Sequence, residues 1–428
     1  MTFKTITKIV PVQSLKSLLQ PHPKEDTLVD GLRGLSAIMI VIFHAMFAVY
    51  FLFKNRPELF QLYIEQFDFP LRFLFGFDKA VDIFFMISAY LLGKQLIGQA
   101  RSKGIQARRF YLNRLFRIYP LFIIALILYS LGSWHLFERD FWFNLIFIDN
   151  FMHNTIIPVG WSLSVEMQCY LVLPLVIYLS EKSKYPVCFI AVLLLLSVGL
   201  RGWVALTHPE VYQVPFHSIF MNPSIDYQYM GQMYYATPSR LSSFIVGLLW
   251  AAIVMHEKFQ HYYNRISQNR WFARPLILFC AMLMFVSLFF PIYDAKLWQH
   301  WPVLESINLY LVVLHRVAFA MALLIIILLV RKPTSLFVRL LSWRVLRVYS
   351  KLAFPVYLFH FPVLAISWLL VMQTTNLKSI EVVTPLQTAA AALIALILVA
   401  WVALPLHFLI EHKGIRFGQR LNQKLSGQ

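Results

Sequence analysis

Arg33 and His44 stand eleven positions apart at the head of a long apolar run. At about 100° per residue that is three turns plus about 20°, so on a continuous helix they share one face, about 16 Å apart along it. A ligand with an anionic head and a long thin arm fits that pairing. Burial favours the neutral imidazole, and a neutral histidine is a candidate general base for a hydroxyl. A core histidine bonded to a neighbouring helix satisfies the same spacing. Arg114 and Arg117 are three apart and neighbours on one helical face, beside Arg108 and Arg109. Guanidinium forks match phosphate oxygens two at a time, and the same cluster serves equally to anchor anionic lipid. Glu166 ends the segment Gly160-Trp161-Ser162-Leu163-Ser164-Val165-Glu166, inside another apolar run. A carboxylate there needs a partner or a proton. It can orient a histidine, bind an acceptor hydroxyl or bridge helices.

The elements that must position these groups are set by composition. The 428 residues are 59% hydrophobic and only 14% charged, with a mean hydropathy of +0.65. Soluble domains are about 45–50% apolar and about 25% charged. A soluble globular protein and a disordered chain are both excluded. A bilayer core needs about 20 mostly apolar residues as helix. Ten such runs fall near 35–53, 81–98, 119–134, 161–180, 187–206, 240–256, 274–292, 307–330, 352–372 and 387–410. The expected fold is therefore all-α: a polytopic membrane protein of about ten transmembrane helices. Cys169, Cys188 and Cys280 sit in apolar runs without CxxC spacing and read as packing residues, so neither a disulfide framework nor a metal site is expected.

Lysine and arginine collect on the cytoplasmic side of a membrane protein. The N-terminal segment carries Lys4, Lys8, Lys16, Lys24 and Arg33, and the loop after the second run carries Arg101, Lys103, Arg108, Arg109, Arg114 and Arg117 with no acid. Residues 331–351 hold six more basic residues and no acid. Loops of the other parity are mixed or acidic, as at Glu138, Arg139, Asp140 and Asp149. Both termini are thus expected in the cytoplasm, and the net charge of +18 is a topology signal that implies no nucleic acid. Residues 1–34 read as a cytoplasmic segment rather than a signal peptide. In it Phe3, Ile6, Ile9, Val10, Leu15, Leu18 and Leu19 are spaced as an amphipathic surface helix broken at Pro11. A loose tail fits as well. Residues 35–410 read as one membrane domain and 411–428 as a cytoplasmic tail, with no soluble domain beyond.

Ionisable side chains at bilayer depth mark function by default. Besides His44 and Glu166 these are Asp82, Lys94, His315, Arg316, His360 and His407. Lys94 and His407 lie near span ends, where snorkelling or a structural role suffices. His315 and Arg316 face the bundle interior, as an interhelical pair or as part of a pore. The outer segment 207–239 holds Tyr212, Tyr227, Tyr229, Tyr234 and Tyr235 with His208 and His217. These suit either sugar stacking or an interfacial aromatic belt.

Six blocks in this order resemble acyltransferase family 3, the bacterial-type integral-membrane O-acyltransferases. They are Asp30-Gly31-Leu32-Arg33-Gly34-Leu35 through Phe43-His44, Val81-Asp82-Ile83-Phe84-Phe85-Met86-Ile87-Ser88, Asn113-Arg114-Leu115-Phe116-Arg117-Ile118-Tyr119-Pro120, Trp161-Ser162-Leu163-Ser164-Val165-Glu166, Arg240-Leu241-Ser242-Ser243-Phe244-Ile245-Val246-Gly247 and Tyr357-Leu358-Phe359-His360. The resemblance spans nearly the whole chain. It departs at Met167, where the family often has a second acid, at Ala89, and after Glu411, where the usual proline is missing. Many members also carry a C-terminal esterase-like domain that this chain is expected to lack.

The resemblance implies an acyl-CoA donor, acetyl-CoA foremost, bound from the cytoplasm by Arg33, Arg114 and Arg117. It implies an acceptor hydroxyl on a cell-surface glycan, glycolipid or related molecule, with membrane lipid as the remaining partner. His44 and Glu166 become the expected catalytic residues. Asp82, Ser88, Trp161, Ser164, Arg240 and His360 are expected to bind substrate or support the site. Ser88, Ser162, Ser164 and His360 are the candidates for stabilising the oxyanion. The location implied is the bacterial inner membrane. A transporter or exporter of a glycan or lipid is the alternative that ten spans and intramembrane Arg316 leave open.

Overall fold

A computed structural model describes residues 18–19, 26–132, 134–152, 155–219, 221–330 and 335–426. Of the expected N-terminal surface helix, only Leu18 and Leu19 fall among them. The described residues contain ten helices long and apolar enough to cross a membrane and no strand. They are α1 (Thr27–Phe53), α2 (Ala80–Ala100), α3 (Ala107–Leu131), α4 (Gly160–Lys182) and α5 (Pro186–Thr207). There follow α6 (Thr237–Val254), α7 (Arg270–Leu288), α8 (Val303–Leu329), α9 (Ala353–Met372) and α10 (Pro385–Leu406).

Each helix contains one of the ten expected apolar runs or most of it, but the ends differ. The first helix starts at Thr27, where Asp26 caps it by accepting from the Leu28 amide at 3.1 Å. Arg33 is therefore inside α1, and α1 is continuous through His44. The third helix starts at Ala107, well before the expected 119, so Arg108, Arg109, Arg114 and Arg117 form its first three turns. An apolar run marks hydrocarbon thickness, and arginine stems carry the helix on past it. The segment expected as a C-terminal tail is the helix His412–Ser426, packed against α3.

The core forms around α1, α2 and α6, which bury most of their length. Two glycines set this packing. A Cβ on Gly247 would lie 2.2 Å from the Met86 carbonyl, so α6 and α2 cross backbone to backbone. A Cβ on Gly34 would lie 1.9 Å from the Leu346 carbonyl, which seats α1 on the short helix Arg344–Lys351. Outward-facing apolar side chains such as Leu195, Leu278, Phe279, Met282 and Leu386 are exposed, as lipid-facing residues of an integral membrane protein are. Prolines inside α3, α4, α7, α9 and α10 are tolerated because neighbouring helices can satisfy the freed carbonyls. Two π-helical stretches, Tyr229–Tyr235 before α6 and His407–Glu411 after α10, interrupt the regular pattern. Such stretches often occur at functional sites, and both border cavities here.

A buried ionic cluster ties α2, α6 and α8 together. Arg316 donates to Asp82 at 2.6 Å and to Asp78 at 2.5 Å. Ser243 donates to Asp82 at 2.6 Å, and Lys79 donates to Asp78 at 2.9 Å. Of the two readings for Arg316, the fold realises the interhelical pair, and Asp82 supports the scaffold from within it. Arg201, inside α5, is also fully buried and donates to the carbonyls of Val312, Met233 and Ser239. His315 bonds the Leu311 carbonyl one turn back at 2.7 Å.

Candidate active site

Three cavities follow one another through the bundle. The first, about 660 Å³, opens between the start of α3 and the C-terminal helix, and Arg109, Asn113, Arg114 and Arg117 line it. The second, about 420 Å³, shares Arg114 and Arg117 with the first and adds Arg33, Ser88, Ser162, Glu166, Tyr170, Tyr357 and Glu411. The third, about 210 Å³, shares Val81 and Tyr357 with the second and adds His44, Trp161, Tyr234, Tyr235 and Phe361. Val81 and Tyr357 are thus the partition between an arginine-rich chamber and an aromatic one.

The α1 helix runs along both chambers. Arg33 lines the second cavity and His44 the third. His44 Nδ1 lies 2.8 Å from His360 Nε2 on α9. The protons on this pair follow from the second ring. His360 Nδ1 faces the carbonyls of Tyr357 at 2.7 Å and Val356 at 3.2 Å. Carbonyls only accept, so His360 Nδ1 carries the hydrogen and its Nε2 accepts. His44 must then donate through Nδ1, which leaves the lone pair of its Nε2 in place. His360 is wholly buried and fixes both the ring orientation and the tautomer of His44. The reading of His44 as a histidine bonded to a neighbouring helix is therefore realised. His360 bonds His44 through one nitrogen and backbone carbonyls through the other.

Glu166 belongs to the arginine-rich chamber. It lies with the arginines in the second cavity, on the other side of the partition from the third-cavity lining that includes His44. Tyr170, one turn on, donates to Glu166, and Ser88 bonds the same Tyr170 hydroxyl. Glu166 thus orients a tyrosine. Arg114 lies close by, half-buried, and its inaccessible Nε has no hydrogen-bond partner among the described residues. At the partition, Ser162 donates to the Val159 carbonyl at 3.1 Å and bonds the Tyr357 hydroxyl.

Ser164 faces neither cavity, because its hydroxyl donates to Asp149. Burial pushes the Asp149 carboxyl up to about 7, and the Ser164 bond moderates the rise. A carboxyl raised on folding contributes stability that is complete below its unfolded value near 3.8 and is lost as pH climbs through about 7. Thermal stability of the detergent-solubilised protein is expected to fall across that window, by up to about 4 kcal/mol. Asp149→Asn should flatten the profile. An unchanged slope in the variant would assign the pH dependence to another group.

Trp161 walls the third cavity, and the Arg240 guanidinium lies behind it, 5.0 Å from the Trp161 ring and 5.2 Å from the Tyr234 ring. Arg240 is fully buried and 3.8 Å from Asp82, and none of its three nitrogens has a hydrogen-bond partner among the described residues. Of the aromatic segment 207–239, Tyr229, Tyr234 and Tyr235 reach the third cavity. The residues Tyr212, Tyr227, His208 and His217 do not line it.

Sequence reasoning gave no role to Tyr170, Tyr357, Asp78 or Asp149. The first two stand one turn from Glu166 and His360, and Asp78 stands four residues before Asp82. That helical spacing was the available signal. Glu411 accepts from or shares a proton with His407 Nδ1 at 2.8 Å and also borders the second cavity.

A family model described as an acyltransferase domain, Acyl_transf_3, matches residues 27–405. Among curated proteins, O-acetyltransferase OatA of Staphylococcus aureus is 24% identical over 366 residues, covering 78% of this chain and 50% of its own length. Peptidoglycan O-acetyltransferase OatA of Listeria monocytogenes is 23% identical over 361 residues, covering 79% of this chain and 49% of its own. The chain therefore spans about half the length of these relatives. No solved structure matches it. With the family match extending from the first turn of α1 to the last of α10, across all three cavities, the chain belongs to acyltransferase family 3.

Proposed function

We propose that the protein is an integral-membrane O-acyltransferase that moves an acyl group, acetyl foremost, from cytoplasmic acyl-CoA to a hydroxyl of a cell-surface glycan or glycolipid. The observation that carries this reading is the His44–His360 pair across one partition from an arginine-lined chamber. The arginines Arg33, Arg114 and Arg117 receive the phosphates of the donor, and its arm extends through the second cavity toward Tyr357. The acceptor enters the third cavity, where Trp161, Tyr234 and Tyr235 offer faces to a sugar ring. In the transfer, His44 Nε2 takes the proton of the acceptor hydroxyl while that oxygen bonds to the thioester carbonyl carbon. The carbon–sulfur bond then breaks, the electron pair leaves with sulfur, and the thiolate recovers the proton from His44 as free thiol. His360 accepts from His44 Nδ1–H throughout and favours the transient imidazolium. The Ser162 and Tyr357 hydroxyls at the partition, which otherwise bond each other and the Val159 carbonyl, turn a hydrogen to the oxyanion as it forms. Glu166 acts by holding Tyr170 and Ser88 along the donor path. The Lys/Arg distribution supports placing the first cavity and both termini on the cytoplasmic side of a bacterial inner membrane. An exporter would present Arg316 to its cargo, whereas here Arg316 is bonded to Asp78 and Asp82.

Purified protein in detergent is expected to release thiol from acetyl-CoA when envelope glycan is supplied, with the acetyl mass appearing on the glycan by mass spectrometry. CoA should raise its thermal transition. In Arg114→Ala/Arg117→Ala this protection should weaken by tenfold or more in CoA concentration, since each charge-assisted bond is worth about 1.5–3 kcal/mol. If CoA produces no shift in the unmodified protein, the donor assignment fails.

A further inference from the structure

The first cavity has one wall that the family match does not reach, since the match ends at residue 405. That wall is the C-terminal helix, which contributes Ile415, Gln419, Asn422 and Gln423. The helix is seated firmly. A Cβ on Gly414 would lie 2.6 Å from the Phe116 carbonyl, and Gly418 rests on the Phe116 ring. Asn422 Nδ2 donates to Asn113 Oδ1 at 2.8 Å and ties the helix to α3. The lining is chemically divided. On α3 stand Arg109, Arg114 and Arg117 with Asn113; facing them are amides and one aliphatic side chain, with no carboxylate among the described lining residues. Arginines alone would suit any phosphate. Paired amides suit a base edge, because an Asn or Gln side chain donates to and accepts from adenine at once. The volume, about 660 Å³, lies in the range of small-molecule sites, about 300–1,000 Å³.

We propose that this cavity is an adenine-nucleotide site in which the α3 arginines hold the phosphates, and Gln419 and Gln423 with Asn113 read the adenine edge over Ile415. The inference rests on the acyltransferase reading above and adds, to the arginines that hold the donor's phosphates, the residues that hold its base. The C-terminal helix is then half of the donor site.

The test compares acetyl-CoA with S-acetyl-pantetheine, which has the same reacting end and no nucleotide, using thiol release by the full-length protein in detergent. Unmodified protein should show a much lower KM for acetyl-CoA than for S-acetyl-pantetheine. In Gln419→Ala/Gln423→Ala the KM for acetyl-CoA should rise about tenfold, the loss expected for one or two hydrogen bonds. The kcat should stay within about twofold, and the KM for S-acetyl-pantetheine should not move. Both glutamines are exposed, so the variant should fold. A second measurement needs no turnover: adenosine 3′,5′-bisphosphate should raise the thermal transition of the unmodified protein and not of the variant. An unchanged KM for acetyl-CoA in the variant, or an equal rise for both donors, overturns the adenine site and leaves the acyltransferase reading standing. Turnover of neither thioester overturns that reading, and protection by the bisphosphate then separately decides whether the nucleotide site exists.

Discussion

His44→Ala is expected to lower acetyl transfer by about 100- to 10,000-fold, the usual contribution of a positioned general base. The KM for acetyl-CoA should be nearly unchanged, because the arginines that hold the donor line the other chambers. The His360 contact argues that the loss is chemical. His360 Nε2 only accepts here, so it can direct His44 but cannot replace it. Exchanging His360 for glutamine separates the two roles. A glutamine carbonyl can still accept from His44 Nδ1–H, whereas alanine cannot. His360→Gln should therefore retain more activity than His360→Ala, with the difference in kcat and not in KM. Thermal transitions measured alongside show whether each variant is folded. Full activity in folded His44→Ala would remove the base assignment, and equal losses in the two His360 variants would remove the tautomer argument.

What the sequence made legible was whatever lies along a single helix. Arg33 and His44 could be placed on one face from their spacing, and Arg114 with Arg117 likewise, because 3.6 residues per turn fixes such relations without tertiary information. Rotation and depth between helices were not legible in this way. Glu166 and His44 both read as groups inside apolar runs, yet the seating of α4 puts Glu166 with the arginines and leaves His44 beyond Tyr357. Ser164, two residues from Glu166, faces the opposite direction and bonds Asp149. Asp78 was hidden for a related reason. It lies in the 3-10 lead-in Phe69–Lys79, which reads as an outer loop, and only the fold brings it within 2.5 Å of Arg316. The C-terminal helix was hidden because its polar face reads as a tail until Gly414 and Gly418 are set against Phe116.

Arg316→Met should destabilise the protein strongly, and Arg240→Met should not, although both side chains are charged and fully buried. Their partners differ. Arg316 makes two charge-assisted bonds, to Asp82 at 2.6 Å and to Asp78 at 2.5 Å. Its removal strands two carboxylates that are each only 1% exposed, with Lys79 and Ser243 as their remaining short-range donors. Breaking a buried pair from one side costs about 3–5 kcal/mol, enough to lower expression and shift the thermal transition by several degrees. Arg240 makes no hydrogen bond among the described residues, so methionine gives up only the 3.8 Å attraction to Asp82 and the contacts with Phe85, Trp161 and Tyr234. An unbranched methionine fills much of that volume and relieves the desolvation of an unbonded cation. The comparison is a pair of melting curves in detergent with the yields of folded protein. If Arg240→Met lost as much stability as Arg316→Met, the cluster would be held by net charge and not by directed bonds. If Arg316→Met lost none, the Asp78–Asp82–Arg316 cluster would not be what joins α2 to α8.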